Sequence, residues 1–197
     1  MDLKRKRLIL ASQSPRRSEL LKSMNLSFEI LPSPVDEVFR QDRSPAENAL
    51  SVAEEKARWI YERNKKNFVI GADTIVVLDN KIIGKPTDEN HARRILNDLS
   101  GKEHEVITGV ALIDPEGNLY QEAAISKVKF KTLSNETIDE YIKTGEPMDK
   151  AGAYAIQGQG SVLIDSHSGS WSNIVGLPTE VMNKLLSHSG YYGGNNI

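Results

Sequence analysis

Short apolar runs of strand length alternate with stretches that open on helix caps from Arg7 to Leu186, and this alternation restricts the fold more than any other feature. Such an order predicts an α/β protein. Arg7–Ala11 reads as a buried strand. Ser14 caps a helix with Pro15 at its first position, and Leu20, Leu21 and Met24 share one face of it. Ser27–Leu31 reads as a second strand. Ser44-Pro45-Ala46-Glu47 is a capping box, and its helix runs to about Asn64 with Leu50, Ala53, Ala57 and Ile60 on one side. Phe68–Ala72 is a strand that Ile75–Leu78 continues, and Asp79-Asn80 turns it into a hairpin with Lys81–Ile83. A helix over Asp88–Leu99 stops at Gly101, and strands near Glu105–Ile113 and Leu119–Lys131 flank a turn at Asp114–Asn118. Ser134 caps a helix through Tyr141, and Pro178 starts the last one, Thr179–Leu186.

A chain of 197 residues corresponds to a single domain, here read as two lobes, at roughly 150 residues per domain. Residues 1–6 and 188–197 are expected to fray. Hydrophobic residues make up 39% and charged residues 26%, which excludes a disordered or fibrous chain. The net charge of −2 argues against a protein held to nucleic acid by bulk charge. The chain has no cysteine, so disulfides, thiol catalysis and cysteine metal sites are excluded. No apolar run has the length of a signal core or a membrane span, and a cytoplasmic protein is expected. His91, His104, His167 and His188 lack metal-type spacing, and no GxSxG elbow supports serine hydrolysis.

Three stretches carry more polar residues and glycine than packing needs. Ser12-Gln13-Ser14-Pro15-Arg16-Arg17 joins a buried strand to a helix start, where free N–H groups and two arginines suit an anion; an ordinary capped helix would look the same. Gly71-Ala72-Asp73-Thr74 puts a carboxylate inside an apolar run, which calls for a partner, a metal or a proton-transfer role, or for a bulge. Lys85, just past the hairpin, is a candidate ammonium for that carboxylate. Met148–Gly160 mixes charged and amide groups with small residues, so backbone can approach a ligand, but its spacing matches no Walker or dinucleotide loop. Arginines and lysines, isolated carboxylates and the lack of a strong nucleophile suit a phosphate substrate, a divalent metal and an attacking water. The residues alone do not name the substrate.

Taken together, these stretches resemble the Maf family of nucleoside triphosphate pyrophosphatases. The match runs in family order through Leu10–Arg17, Glu55-Lys56-Ala57, Gly71–Thr74, Gly84-Lys85-Pro86, Leu99-Ser100-Gly101, Thr108-Gly109-Val110, Glu146–Tyr154, Ile156-Gln157-Gly158 and Val175–Pro178. The resemblance implies a fold like that of inosine triphosphate pyrophosphatases, a two-lobed α/β protein with an elongated central mixed sheet and a nucleotide cleft. It implies cleavage between the α- and β-phosphates, a divalent cation (Mg²⁺ or Mn²⁺) and a homodimer. Arg16, Thr74 and Gln157 match the branch that acts on dTTP and UTP, where another branch has Trp, Gln and Glu and acts on 7-methyl-GTP. By the same resemblance Asp73 is the base that activates water. Glu37 and Asp73 are metal ligands, and Ser12, Arg16, Arg17, Lys56 and Lys85 bind phosphate. The family has also been linked to inhibition of septum formation, which leaves a second reading: a nucleotide-binding regulator with little turnover. A pure binder needs the cations but not the base, so Asp73 favours the enzyme.

Overall fold

A computed structural model describes residues 6–193. The expected arm and tail residues 1–5 and 194–197 lie outside the described residues. The strands are β1 (Leu8–Leu10), β2 (Phe28–Ile30), β3 (Phe68–Leu78), β4 (Lys81–Ile83), β5 (Glu103–Ile113), β6 (Leu119–Phe130) and β7 (Ile164–Ser168). The helices are α1 (Pro15–Ser23), α2 (Pro45–Arg63), α3 (Glu89–Leu99), α4 (Asn135–Lys143), α5 (Trp171–Val175) and α6 (Thr179–His188). The strands form one mixed sheet in the order β2-β1-β3-β5-β6-β7, with β4 paired to β3. β1 is parallel to β2 and β3, whereas β4 and β7 are antiparallel to their neighbours.

The chain divides into two compact units. The first takes the residues up to Asp73, Thr108–Ala124 and those from Gly176 on. Strand alternation sorts its core. Leu8, Leu10, Phe68, Ile70, Val110 and Leu112 pack with Leu21 of α1 and with Val181, Met182, Leu185 and Leu186 of α6. Ile9, Val69, Ala111 and Ile113 pack with Ala53, Ala57 and Ile60 of α2. Alternation from Val69 puts Gly71 and Asp73 on this second face too.

Ser44 starts α2 with a complete capping box, and Pro45 occupies its first turn. Its buried stripe is Ala49, Val52, Ala53, Lys56, Ala57 and Ile60, whereas Leu50, expected there, is only half-buried. The helix lies on the sheet at backbone contact. A Cβ added at Gly71 would stand 2.0 Å from the Ala53 carbonyl oxygen, and one at Gly109 would stand 2.5 Å from the Ala49 carbonyl carbon. Glycine is needed at both positions because of this close approach.

Within the stretch 188–193, read as part of a fraying tail, one residue is packed. The helix α6 runs to His188, and Tyr191 is buried edge-on against Phe68 at 5.1 Å between ring centroids. That one aromatic pair supplies the burial that the glycine-rich composition hides.

The second unit comprises Thr74–Ile107 and Ile125–Val175. Buried residues of α3 (Ala92, Ile95, Leu96, Leu99) and α4 (Ile138, Tyr141, Ile142) supply its helical core. His104, Phe130 and Tyr154 stack edge to face, and His104 Nε2 lies 2.7 Å from the Tyr154 hydroxyl. Burial lowers the His104 pKa from 6.5 to about 4 and raises that of the Tyr154 phenol. Gly152, at φ +70°, closes over Val76, where a Cβ would be 2.8 Å away. The strand β7, the short helix α5 and the 3₁₀ turns between Glu146 and Leu163 were not expected from the sequence.

Two outcomes follow. Gly71→Ala pushes a methyl group into helix backbone, which has no rotamer with which to yield, and should lower stability by at least about 3 kcal/mol in urea titrations. His104 is kept neutral when folded but takes up a proton when unfolded below pH 6.5, so stability falls as pH falls, by about 3 kcal/mol between pH 6.5 and 4. In His104→Gln the urea midpoint should vary less over that range than in the wild type.

Candidate active site

The sheet and α2 together set the charged centre of the first unit. Asp73 is the last residue of β3 in this unit and lies on the α2 face, 2% exposed. Lys56 sits on the buried stripe of α2, and its ammonium donates to Asp73 Oδ1 at 2.8 Å. The same Nζ donates to Glu37 Oε1 at 2.9 Å. One lysine therefore joins two carboxylates. Asp73 Oδ2 is buried and has no hydrogen-bond partner among the described residues.

Glu37 stands on an irregular segment between β2 and α2, which Asn48 fixes from the first turn of α2. Its Oδ1 accepts from the Arg40 N–H at 2.7 Å, and its Nδ2 donates to the Arg40, Arg43 and Ser44 carbonyls at 2.9, 3.2 and 3.2 Å. Asn48 was missed in the sequence. The available signal was a polar residue beside the apolar stripe of α2, one position before Ala49.

The strand-to-helix turn after β1 forms as its residues suggest. The Ser14 side chain caps α1 by accepting from the Arg17 N–H. Ser12 Oγ accepts from the Ser14 N–H at 3.2 Å and from an Arg17 guanidinium N–H at 3.1 Å. Arg17 Nε donates to the Gly176 carbonyl at 2.8 Å, tying this turn to the segment before α6. Arg16 Nε is buried with no hydrogen-bond partner among the described residues.

Electrostatics bind these groups into one centre. Burial lowers the Arg17 pKa, opposed first by Asp73 and then by Glu37. Burial also pushes the Asp73 carboxyl above its ordinary range, against the pull of Lys56; Glu37 pushes it the same way, and Arg17 opposes. Ser12, Arg17, Glu37, Lys56 and Asp73 thus act on one another within the first unit. Arg16 shares this first unit, and the remaining sequence candidates belong to the second. Thr74 follows Asp73 in β3 and is half-buried. Lys85 is exposed just past β4, beside Gly84, whose carbonyl accepts from the Gly152 N–H at 3.1 Å. Gln157 is exposed in the loop after Ile156.

Among the described residues, no three His, Cys, Asp or Glu side chains cluster as a metal site. The donor set still suits Mg²⁺ or Mn²⁺ held with a phosphate ligand: two carboxylates share one lysine, and one of their oxygens is buried and unpartnered. Mg²⁺ commonly binds through one or two carboxylates, substrate phosphates and water.

Fold and site define an α/β protein with a carboxylate–lysine–carboxylate centre beside an arginine-bearing helix start. The chain matches the Maf-like protein family over residues 7–189 and belongs to that family. It is 46% identical over 191 residues to a dTTP/UTP pyrophosphatase of Clostridioides difficile (strain 630), covering 94% of this chain and 98% of that protein. A dTTP/UTP pyrophosphatase of Dictyoglomus thermophilum is 47% identical over 189 residues, covering 95% and 98%. One of Desulforamulus reducens is 48% identical over 184 residues, covering 93% and 96%. The solved Staphylococcus aureus Ham1 protein overlaps at a TM-score of 0.48 and 15% identity, covering 81% of this chain and 80% of that one. No described helix is long and apolar enough to cross a membrane.

The raised Asp73 pKa carries a stability consequence. The folded protein holds the proton of this carboxyl more tightly than the unfolded chain does, so ionisation at pH 7 is a cost to folding. Asp73→Asn keeps the shape and removes that cost, while Lys56 retains Glu37. The melting temperature should hold or rise, as read by calorimetry at pH 7.

Proposed function

We propose that the protein hydrolyses dTTP and UTP to the nucleoside monophosphate and pyrophosphate. The observation that carries the reading is Asp73, a buried carboxylate with one oxygen held by Lys56 and the other unpartnered. The relatives named dTTP/UTP pyrophosphatase, matched over nearly their full length, support the substrate class.

In this reading Asp73 Oδ2 takes the proton of a water as its oxygen attacks the α-phosphorus. The bond from that phosphorus to the bridging oxygen breaks, and pyrophosphate leaves with the electron pair. Lys56 holds the other Asp73 oxygen and so fixes the base, and the burial that raises the Asp73 pKa makes this carboxylate a better proton acceptor than one in water. Ser12, Arg16, Arg17, Lys56 and Lys85 neutralise the triphosphate, where negative charge grows on the leaving group. Glu37 and Asp73 would hold a divalent cation, which when bound adds positive charge against the phosphates.

Arg16, Thr74 and Gln157 select the pyrimidine. The Gln157 amide both donates and accepts, whereas a glutamate there only accepts. A site that hydrogen-bonds one base edge leaves its own polar groups unpaired with another base, while one methyl is worth only ~1–3 kcal/mol, so dTTP and UTP are both taken. A cytoplasmic homodimer belongs to the same reading.

A panel of nucleoside triphosphates with Mg²⁺ or Mn²⁺, scored for pyrophosphate, tests the proposal. Pyrophosphate and the monophosphate should appear fastest from dTTP and UTP, and Asp73→Asn should lower kcat by about 10²–10⁴-fold. Orthophosphate as the first product would overturn the bond assignment. Tight nucleotide binding with no turnover would favour the regulator.

A further inference from the structure

The loop that carries Gln157 is tied down on both sides by one phenol–carboxylate pair. Ahead of Gln157, the Ala155 N–H donates to the Tyr141 hydroxyl at 3.3 Å. Behind it, the Gln159 N–H donates to Glu146 Oε2 and the Gly160 N–H to Glu146 Oε1, each at 3.1 Å. The Tyr141 hydroxyl in turn donates to Glu146 Oε1 at 3.0 Å, which closes the ring of contacts. The fit leaves no room for larger residues. At Gly158, where φ is +72°, a Cβ would stand 2.9 Å from Glu146 Oε2, and at Gly160 one would stand 2.3 Å from the Ala155 carbonyl oxygen and 2.8 Å from the Tyr141 hydroxyl. Tyr141 itself is buried on α4, and the Glu146 N–H donates to Thr144 Oγ1 at 3.1 Å, so the pair stands on an ordered base. Gln157 is exposed at the turn between the two tied limbs.

We propose that Tyr141 and Glu146 are positioning residues that hold the Gln157 backbone ready for base recognition. The inference rests on the proposed role of Gln157. An exposed glutamine on a slack loop loses backbone and side-chain freedom when it binds, and that loss weakens affinity. Two charge-assisted bonds to Glu146 and one bond to Tyr141 remove the backbone part of this loss before the nucleotide arrives. Neither residue takes part in the bond-breaking step, so releasing the loop weakens recognition of the favoured base and leaves the chemistry nearly intact.

The test compares Tyr141→Phe, Glu146→Gln and Gln157→Ala in steady-state assays with dTTP, UTP and dGTP, together with amide hydrogen exchange at Gln159 and Gly160. Both loop variants should raise KM for dTTP and UTP about tenfold with kcat changed less than about threefold, a split that marks lost binding rather than lost chemistry. KM for dGTP should stay put, so the preference narrows. The Gln159 and Gly160 amides should exchange faster while those of β5 do not. If Gln157→Ala alters the substrate ranking and the two loop variants leave it as in the wild type, the positioning role is overturned and base reading by Gln157 stands. If no variant alters the ranking, base reading by Gln157 is lost and the positioning role falls with it. Should Glu146→Gln fail to fold, Tyr141→Phe, which keeps the ring and removes only the hydroxyl, decides by the same criteria.

Discussion

The contact of α2 with bare sheet backbone at Gly71 and Gly109 is the constraint on which the charged centre depends. A helix held off by ordinary side chains would sit some ångströms further from the sheet and reach it through flexible groups. Here alanines on the helix meet glycines on β3 and β5, so peptide groups touch peptide groups. The offset between Lys56 and Asp73 is then set by helix rise and strand pleat rather than by rotamers. Two residues further along β3 from Gly71, a carboxylate meets the lysine that comes one position before Ala57.

That precision is needed because the charges are buried. Desolvating a lysine and an aspartate costs several kcal/mol, and only good geometry returns it. The return is incomplete at Asp73, whose carboxyl remains above its ordinary range despite the lysine 2.8 Å away. Stability and readiness to accept a proton pull in opposite directions at this residue, a conflict typical of sites kept for chemistry. Asn48 meets the related demand on Glu37: its three hydrogen bonds to Arg40 and Arg43 fix the loop, so the second carboxylate arrives in register with the lysine.

Much of this was legible from residues in order. The caps at Ser14 and Ser44 and the apolar alternation placed the main strands and helices within a few residues. Asp73 in an apolar run announced a partner, but not that the partner was Lys56, because a contact 17 residues away depends on helix-to-sheet distance. Gly71-Ala72-Asp73-Thr74 lies inside β3, which extends from Phe68 to Leu78. Glycine there serves the helix above, a demand that local propensity does not express. The strand β7 escaped notice because Ile164–Ser168 is mostly exposed and polar, without the alternation that marks a half-buried strand. Arg17 read as a cation for an anionic ligand, but its tie to the Gly176 carbonyl, 159 positions away, has no local signal.

The order of segments in the first unit sets the schedule of its assembly. Its strands β1 and β3 come early in the chain, but Leu177, Val181, Met182, Leu185 and Leu186, which fill the face opposite α2, come after every residue of the second unit. A chain grown only as far as Val175 holds the whole second unit and a row of Leu8, Leu10, Ile70 and Leu112 covered by α1 alone. On the ribosome, where addition proceeds at roughly 5–20 residues per second, the half that bears the ion pair is the last to close although it is the first to emerge.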